Sequence, residues 1–115
     1  MKIYNLSGGQ WVGEARSADS FLTRLAGMLF SAPSGKGTQG LWLSPCNAVH
    51  TLGMRFPLDI LFLDAQGKVL KIALKVRPMC LGLFCKGAHS VLEFFSGSWD
   101  PGSVRIADRL ELRPV

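Results

Sequence analysis

One segment constrains this chain more than any other: Leu58-Asp59-Ile60-Leu61-Phe62-Leu63, closed by Asp64-Ala65-Gln66-Gly67 and followed by Lys68 to Val76. A short run that is apolar on both faces apart from one carboxylate describes a strand covered on both sides. The Asp and Gly of the next four residues suit a tight turn that returns the chain antiparallel. Along the returning strand Leu70, Ile72, Leu74 and Val76 fall on one face, with Lys71, Lys75 and Arg77 on the other beside Val69 and Ala73. Pro78, which has no N–H to give a ladder, ends it.

The rest of the chain supplies more short strands. Ile3-Tyr4 and Trp11-Val12 flank a Ser-Gly-Gly turn, and Leu41 to Leu43, Val49 to Leu52, Ser90 to Phe95 and Arg109 to Leu112 follow. Between Asp19 and Leu29 the period changes: Phe21, Leu22, Leu25, Met28 and Leu29 share one side of a helical wheel, which predicts one amphipathic helix. The expected fold class is therefore α+β and β-rich: one amphipathic helix packed on a strongly curled, mainly antiparallel sheet or partly closed barrel. At 115 residues, with no repeat or linker, residues 1–115 read as a single domain.

Thirteen Lys and Arg against eight Asp and Glu give a formal charge of +5, too dilute to identify a partner. Nucleic acid is not expected, because the stripe Lys68, Lys71, Lys75 and Arg77 has no interleaved aromatic residues on which bases could stack. The first residues lack the apolar core of a signal peptide, and no apolar stretch approaches the roughly 20 residues that span a bilayer. The expectation is a soluble, cytoplasmic protein without a membrane partner, monomeric by default. Its odd complement of cysteines, Cys46, Cys80 and Cys85, should be reduced.

Chemistry-bearing residues concentrate between Cys46 and Asp59, where a thiol, the His50 imidazole, the Arg55 guanidinium and a carboxylate occur together. Read as a nucleophilic site, Cys46 is the thiolate, His50 its base and Asp59 the group that orients the imidazole. Read plainly, Cys46 is a small buried hydrophobe, His50 bonds a loop carbonyl, and Asp59 caps a turn or pairs with Arg55 or Arg77. Asp59 and Glu93 both interrupt apolar strands, and a buried carboxylate requires partners. Together with one His and one Arg they would furnish a polar pocket for acid/base work, or a structural ion-pair cluster. Cys80 and Cys85 give a C-x4-C pair, but Leu81, Leu83 and Phe84 between them look like core or contact surface, so neither a metal nor a cofactor is assigned.

The run Cys46-Asn47-Ala48-Val49-His50-Thr51-Leu52-Gly53-Met54-Arg55-Phe56-Pro57-Leu58-Asp59, with Gly40-Leu41-Trp42-Leu43 before it and Val91-Leu92-Glu93 and Gly97 after, resembles the prokaryotic domain of unknown function family 192, also called uncharacterised protein family 0127. The resemblance covers about residues 15–112. It implies a β-rich α+β domain of similar size, without an established activity, in which His50, Met54, Pro57, Asp59, Glu93 and Gly97 fall on motif positions. It also implies departures. Many members carry a Trp-x-Lys-Asn-Thr type of segment where this chain has His50 to Met54, some have a secretory or lipoprotein leader, and a Gly-Asp turn is usual where this chain has Ile106-Ala107-Asp108-Arg109.

The leading functional expectation is a small non-enzymatic module. It would bind a small ligand, a peptide or a partner protein in a pocket around His50, Met54, Arg55 and Asp59, with Cys80 to Cys85 as a second contact. The alternative is an enzyme using Asp59 and His50, with Cys46 or Glu93, for acid/base or hydrolytic chemistry.

Overall fold

The described residues form nine strands: β1 (Lys2–Asn5), β2 (Gln10–Ser17), β3 (Gln39–Leu43), β4 (Ala48–Val49), β5 (Leu58–Leu63), β6 (Val69–Val76), β7 (Leu83–Phe84), β8 (Ser90–Phe95) and β9 (Leu110–Arg113). The structure, a computed structural model, describes residues 1–17, 39–51, 54–80 and 82–114. Seven strands form one sheet in the order β6-β5-β8-β3-β2-β1-β9, and β4 and β7 form a second, two-stranded one. Within the large sheet only β2 and β3 run parallel.

This architecture corrects the expected fold class. The described residues contain no α-helix, only a 3-10 turn at Pro101–Ser103, so the described fold is nearly all β rather than α+β. The helix expected between Asp19 and Leu29 lies outside the described residues. The sheet is open, not a strongly curled sheet or partly closed barrel: its edge strands β6 and β9 share no ladder, and only their first residues and the turns before them meet, through the Lys68 to Arg109 bridge and the backbone bonds beside it. A bulged eight-residue strand and a four-residue strand do not keep one register for long enough to close the ring.

The central strands β5 and β8 are buried at every position, as the apolar run of β5 requires. Alternation sends their side chains into two clusters on opposite faces. Leu61, Leu63, Leu92 and Phe94 meet Ile3, Val12, Trp99 and Leu110 on the first face. Leu58, Ile60, Phe62, Val91 and Phe95 meet Leu41, Val49 and Met54 on the second, where Cys46, Leu83 and Cys85 of the β4–β7 region pack against them.

The single face expected for Leu70, Ile72, Leu74 and Val76 does not form. Ile72 packs on the first cluster and Val76 on the second, while Leu74 is 48% exposed. Register shifts opposite Phe62/Leu63 and Leu58/Ile60 place an extra residue in β6 twice, and each extra residue reverses the parity of the strand.

Candidate functional site

Asp59 is 2% exposed, on a strand whose neighbours are apolar, and its carboxylate is occupied. Oδ1 accepts from the Lys75 backbone N–H at 2.8 Å and from the Ser96 hydroxyl at 2.7 Å, and Oδ2 accepts from Trp99 Nε1 at 2.7 Å. None of these donors is a cation, so Asp59 pairs with neither Arg55 nor Arg77. Lys75 sits in the second bulge of β6 with φ 53°, and Asp59 receives the N–H that the bulge takes out of the ladder. Trp99, 7% exposed, stacks on Phe94, the cross-strand partner of Asp59, with centroids 4.7 Å apart. The carboxylate thus ties β5, the bulged β6 and the turn after β8 into one unit.

Glu93 is completely buried and is itself engaged, but elsewhere. Its register partners are Ile60 on β5 and Leu41 on β3, both members of the second cluster. Asp59 pairs with Phe94 of the first cluster, so the two carboxylates project from opposite faces of the sheet. They do not form a common pocket.

Thr51, 1% exposed, is the corresponding knot on the second face. Its hydroxyl donates to the Arg77 carbonyl at 2.8 Å and accepts from the Cys80 N–H at 2.7 Å. Its backbone N–H donates to the Cys80 carbonyl at 3.0 Å, and its carbonyl accepts from the N–H groups of Met79 and Met54. These bonds fasten Thr51 to the 77–80 loop and to Met54, which sits in the core at 6% exposure.

The remaining candidates separate by exposure. His50 is half-buried and engaged, and Arg55 is exposed. Cys46 is half-buried; its Sγ points to the Ala48 carbonyl at 3.1 Å and its backbone N–H donates to the His89 carbonyl. The thiol therefore donates within its own loop. Met54 and Asp59, expected as pocket residues, are core residues on different faces, and what remains accessible is the corner Arg55-Phe56-Pro57. The Met54 N–H to Thr51 carbonyl bond pins one end of this corner, and the Ser96 N–H to Pro57 carbonyl bond pins the other. Phe56, 39% exposed, meets Phe95 edge-on at 5.7 Å.

In the loop from Met79 to His89, Phe84 is 58% exposed, Leu83 is half-buried and Leu81 lies outside the described residues. Among the described residues no three His, Cys, Asp or Glu side chains gather as a metal site. No helix among them is long and apolar enough to cross a membrane.

Sequence reasoning missed Asn5, a completely buried amide. Its Nδ2 donates to the Ser103 carbonyl and to Asp108 Oδ2, and its Oδ1 accepts from the N–H groups of Ser7 and Gly8. Its place two residues before Ser7-Gly8-Gly9 is the usual signature of an Asx turn.

No curated protein matches this chain. Two solved structures share its fold. A protein of Sinorhizobium meliloti 1021, provisionally named a transcription regulator, aligns with a TM-score of 0.73 at 21% identity over 96% of this chain and 89% of that one. A protein of unknown function from Novosphingobium aromaticivorans DSM 12444 aligns with a TM-score of 0.66 at 17% identity over 96% of this chain and 92% of that one. The model of domain of unknown function family 192, described as "Uncharacterized ACR", matches residues 3–112. The motif that runs through Thr51, Met54 and Asp59 is thus set in the fold of its relatives, and the chain belongs to domain of unknown function family 192.

Proposed function

We propose that the chain is a non-catalytic binding module that presents the Arg55–Phe56 corner, with His50 as a further contact, to an anionic group on a small ligand, peptide or partner protein. One observation carries this reading: the corner is hydrogen-bonded at both ends and exposes two successive residues, Arg55 and Phe56, while Asp59 is consumed inside the fold. A fixed backbone lowers the ordering cost of binding, and a guanidinium matches a carboxylate or phosphate in two parallel hydrogen bonds. No described residue forms an ion pair with Arg55, so its charge is available to a partner.

The enzymatic alternative is less well supported. Asp59, which the triad reading needs to orient His50, is engaged by Lys75, Ser96 and Trp99, and the Cys46 thiol is directed to a backbone carbonyl. The name of the Sinorhizobium protein adds only a fold likeness at this identity.

Backbone amide NMR of the full chain, titrated with an acidic hexapeptide of Asp and Glu, tests the proposal. Saturable shifts centred on residues 54–57 are expected, weakened at least tenfold by Arg55→Ala at unchanged thermal stability. Turnover of a model ester or amide that disappears in His50→Ala would overturn it.

A further inference from the structure

A different surface carries a second site. The outward face of β1, β2 and β9 is aromatic where a solvated edge would be charged throughout: Trp11 is 56% exposed and meets Tyr4 edge-on, with centroids 4.9 Å apart. Arg113 fixes the pair, its guanidinium carbon 4.6 Å from the Tyr4 centroid and 5.6 Å from that of Trp11. Glu111 in turn holds Arg113, accepting from Nε at 3.0 Å and Nη2 at 3.3 Å. The platform is therefore braced on one side by a cation and a carboxylate.

On the other side Trp11 borders a hollow of about 250 Å³, lined also by Lys2, Gly13 and Glu14. The register of β1 against β2 shifts between Ile3 and Tyr4, placing an extra residue on β2, and Gly13 brings no side chain to the floor. Lys2 stands directly across from Glu14, so an ammonium donor and a carboxylate acceptor share the rim. The Lys2 ammonium lies over the indole, 5.9 Å from its centroid, so a ring stacking on Trp11 takes the place of the end of this long, flexible side chain.

We propose that this hollow is a carbohydrate site in which a neutral pyranose ring stacks its C–H face on Trp11 while vicinal hydroxyls bridge Lys2 and Glu14. The charges select this class. At the hollow Lys2 is met by Glu14 and Arg113 by Glu111, with the exposed Arg16 further along β2 outside the rim, and such paired donors and acceptors suit a ligand with many hydroxyls. An exposed indole rewards a ligand with one flat apolar face. The hollow lies below the range of roughly 300–1,000 Å³ typical of enclosing ligand pockets, so binding is shallow and a single ring is held at weak, millimolar affinity. This site is independent of the Arg55–Phe56 corner and stands or falls separately.

The test is a titration of the full chain, followed by its backbone amides and tryptophan indole N–H resonances, with maltotriose, cellotriose and chitotriose, and with a deoxythymidine decamer for comparison. At least one trisaccharide should give saturable shifts at the Trp11 indole, Gly13 and Glu14, with little response to salt. Trp11→Ala should weaken binding at least tenfold. Glu14→Gln, which leaves the aromatic platform in place, should weaken it about threefold to fivefold. Three results would overturn the proposal: no shift with any of the three sugars at tens of millimolar, sugar binding unchanged in both variants, or a salt-sensitive response to the decamer alone.

Discussion

The indole of Trp99 donates a 2.7 Å hydrogen bond from Nε1 to Asp59 Oδ2, joining the turn after β8 to the middle of the sheet across 40 residues of sequence. A hydrogen bond to a buried carboxylate is worth roughly 1.5–3 kcal/mol, more than one between neutral groups. Trp99→Phe keeps a ring to stack on Phe94 but removes the donor. It should cost about 2 kcal/mol in denaturant unfolding, without a change in the slope of the transition.

Thr51→Val removes a hydroxyl that both donates and accepts while keeping the shape of the side chain. The Arg77 carbonyl and the Cys80 N–H then lose their partner in a buried place, at a cost of about 2 kcal/mol. Hydrogen exchange locates the damage. The amides of Met79 and Cys80 should exchange faster, while those of β5 and β8 fall only with global stability.

Ala107 adopts φ 78°, a left-handed conformation that a Cβ disfavours, at the place where a Gly-Asp turn was the expected family pattern. Its N–H still donates to the Val69 carbonyl at 2.8 Å, so the turn is held against that strain. Ala107→Gly should therefore stabilise the chain, by about 0.5–1 kcal/mol once the extra freedom of glycine in the unfolded state is set against the strain relieved. A lowered melting temperature would refute this.

Asp64 opens the β5–β6 turn, and the backbone N–H groups of Lys68 and Gln66 donate to its Oδ1 at 2.9 Å each. The Lys68 bond is the main reason its pKa lies below the ordinary aspartate value; partial burial opposes the shift, and the Gln66 bond and the charges of Lys68 and Arg109 reinforce it. A depressed folded-state pKa adds stability that is present above the unfolded-state value and fades as pH falls through the folded one. Carbon-detected titration should place the Asp64 midpoint below that of an unfolded aspartate. The stability advantage of the native chain over Asp64→Ala should shrink across that acid range and stay constant from pH 5 upward.

Much of the sheet was legible because its strongest strands obey one rule at a time. β5 and β8 have the bounds that their apolar runs indicate, and the Asp64-to-Gly67 turn follows from residue types that suit no regular element. The faces of β6 were not legible. A bulge leaves no mark in hydrophobic periodicity, and the one between Ala73 and Val76 puts Ile72 and Val76 on opposite faces. The parallel pairing of β2 with β3 and the bridge between the sheet edges depend on contacts far apart in sequence, which no local pattern encodes. In the candidate site, the sequence marked Asp59 and Glu93 as carboxylates in need of partners. Which faces they occupy depends on the pairing of β8 with β5, and the donors to Asp59 come from Lys75, Ser96 and Trp99, which hold no place in the motif around His50. Tyr4 and Trp11 could have been paired from their positions on either side of the Gly8-Gly9 turn, but the seating of Arg113 over them required the β1–β9 pairing.

The central claim is that Asp59 holds the fold together rather than performing chemistry, and a double-mutant cycle of Asp59→Asn and Trp99→Phe, read by denaturant unfolding, tests it most directly. Asn at position 59 turns one acceptor into a donor facing donors, so the single variant should lose about 3 kcal/mol. The pair should couple by at least about 1 kcal/mol, because once the indole N–H is gone the amide has one conflict fewer. An Asp59→Asn protein with native stability and no coupling to Trp99 would contradict the account and return Asp59 to the candidates for catalysis.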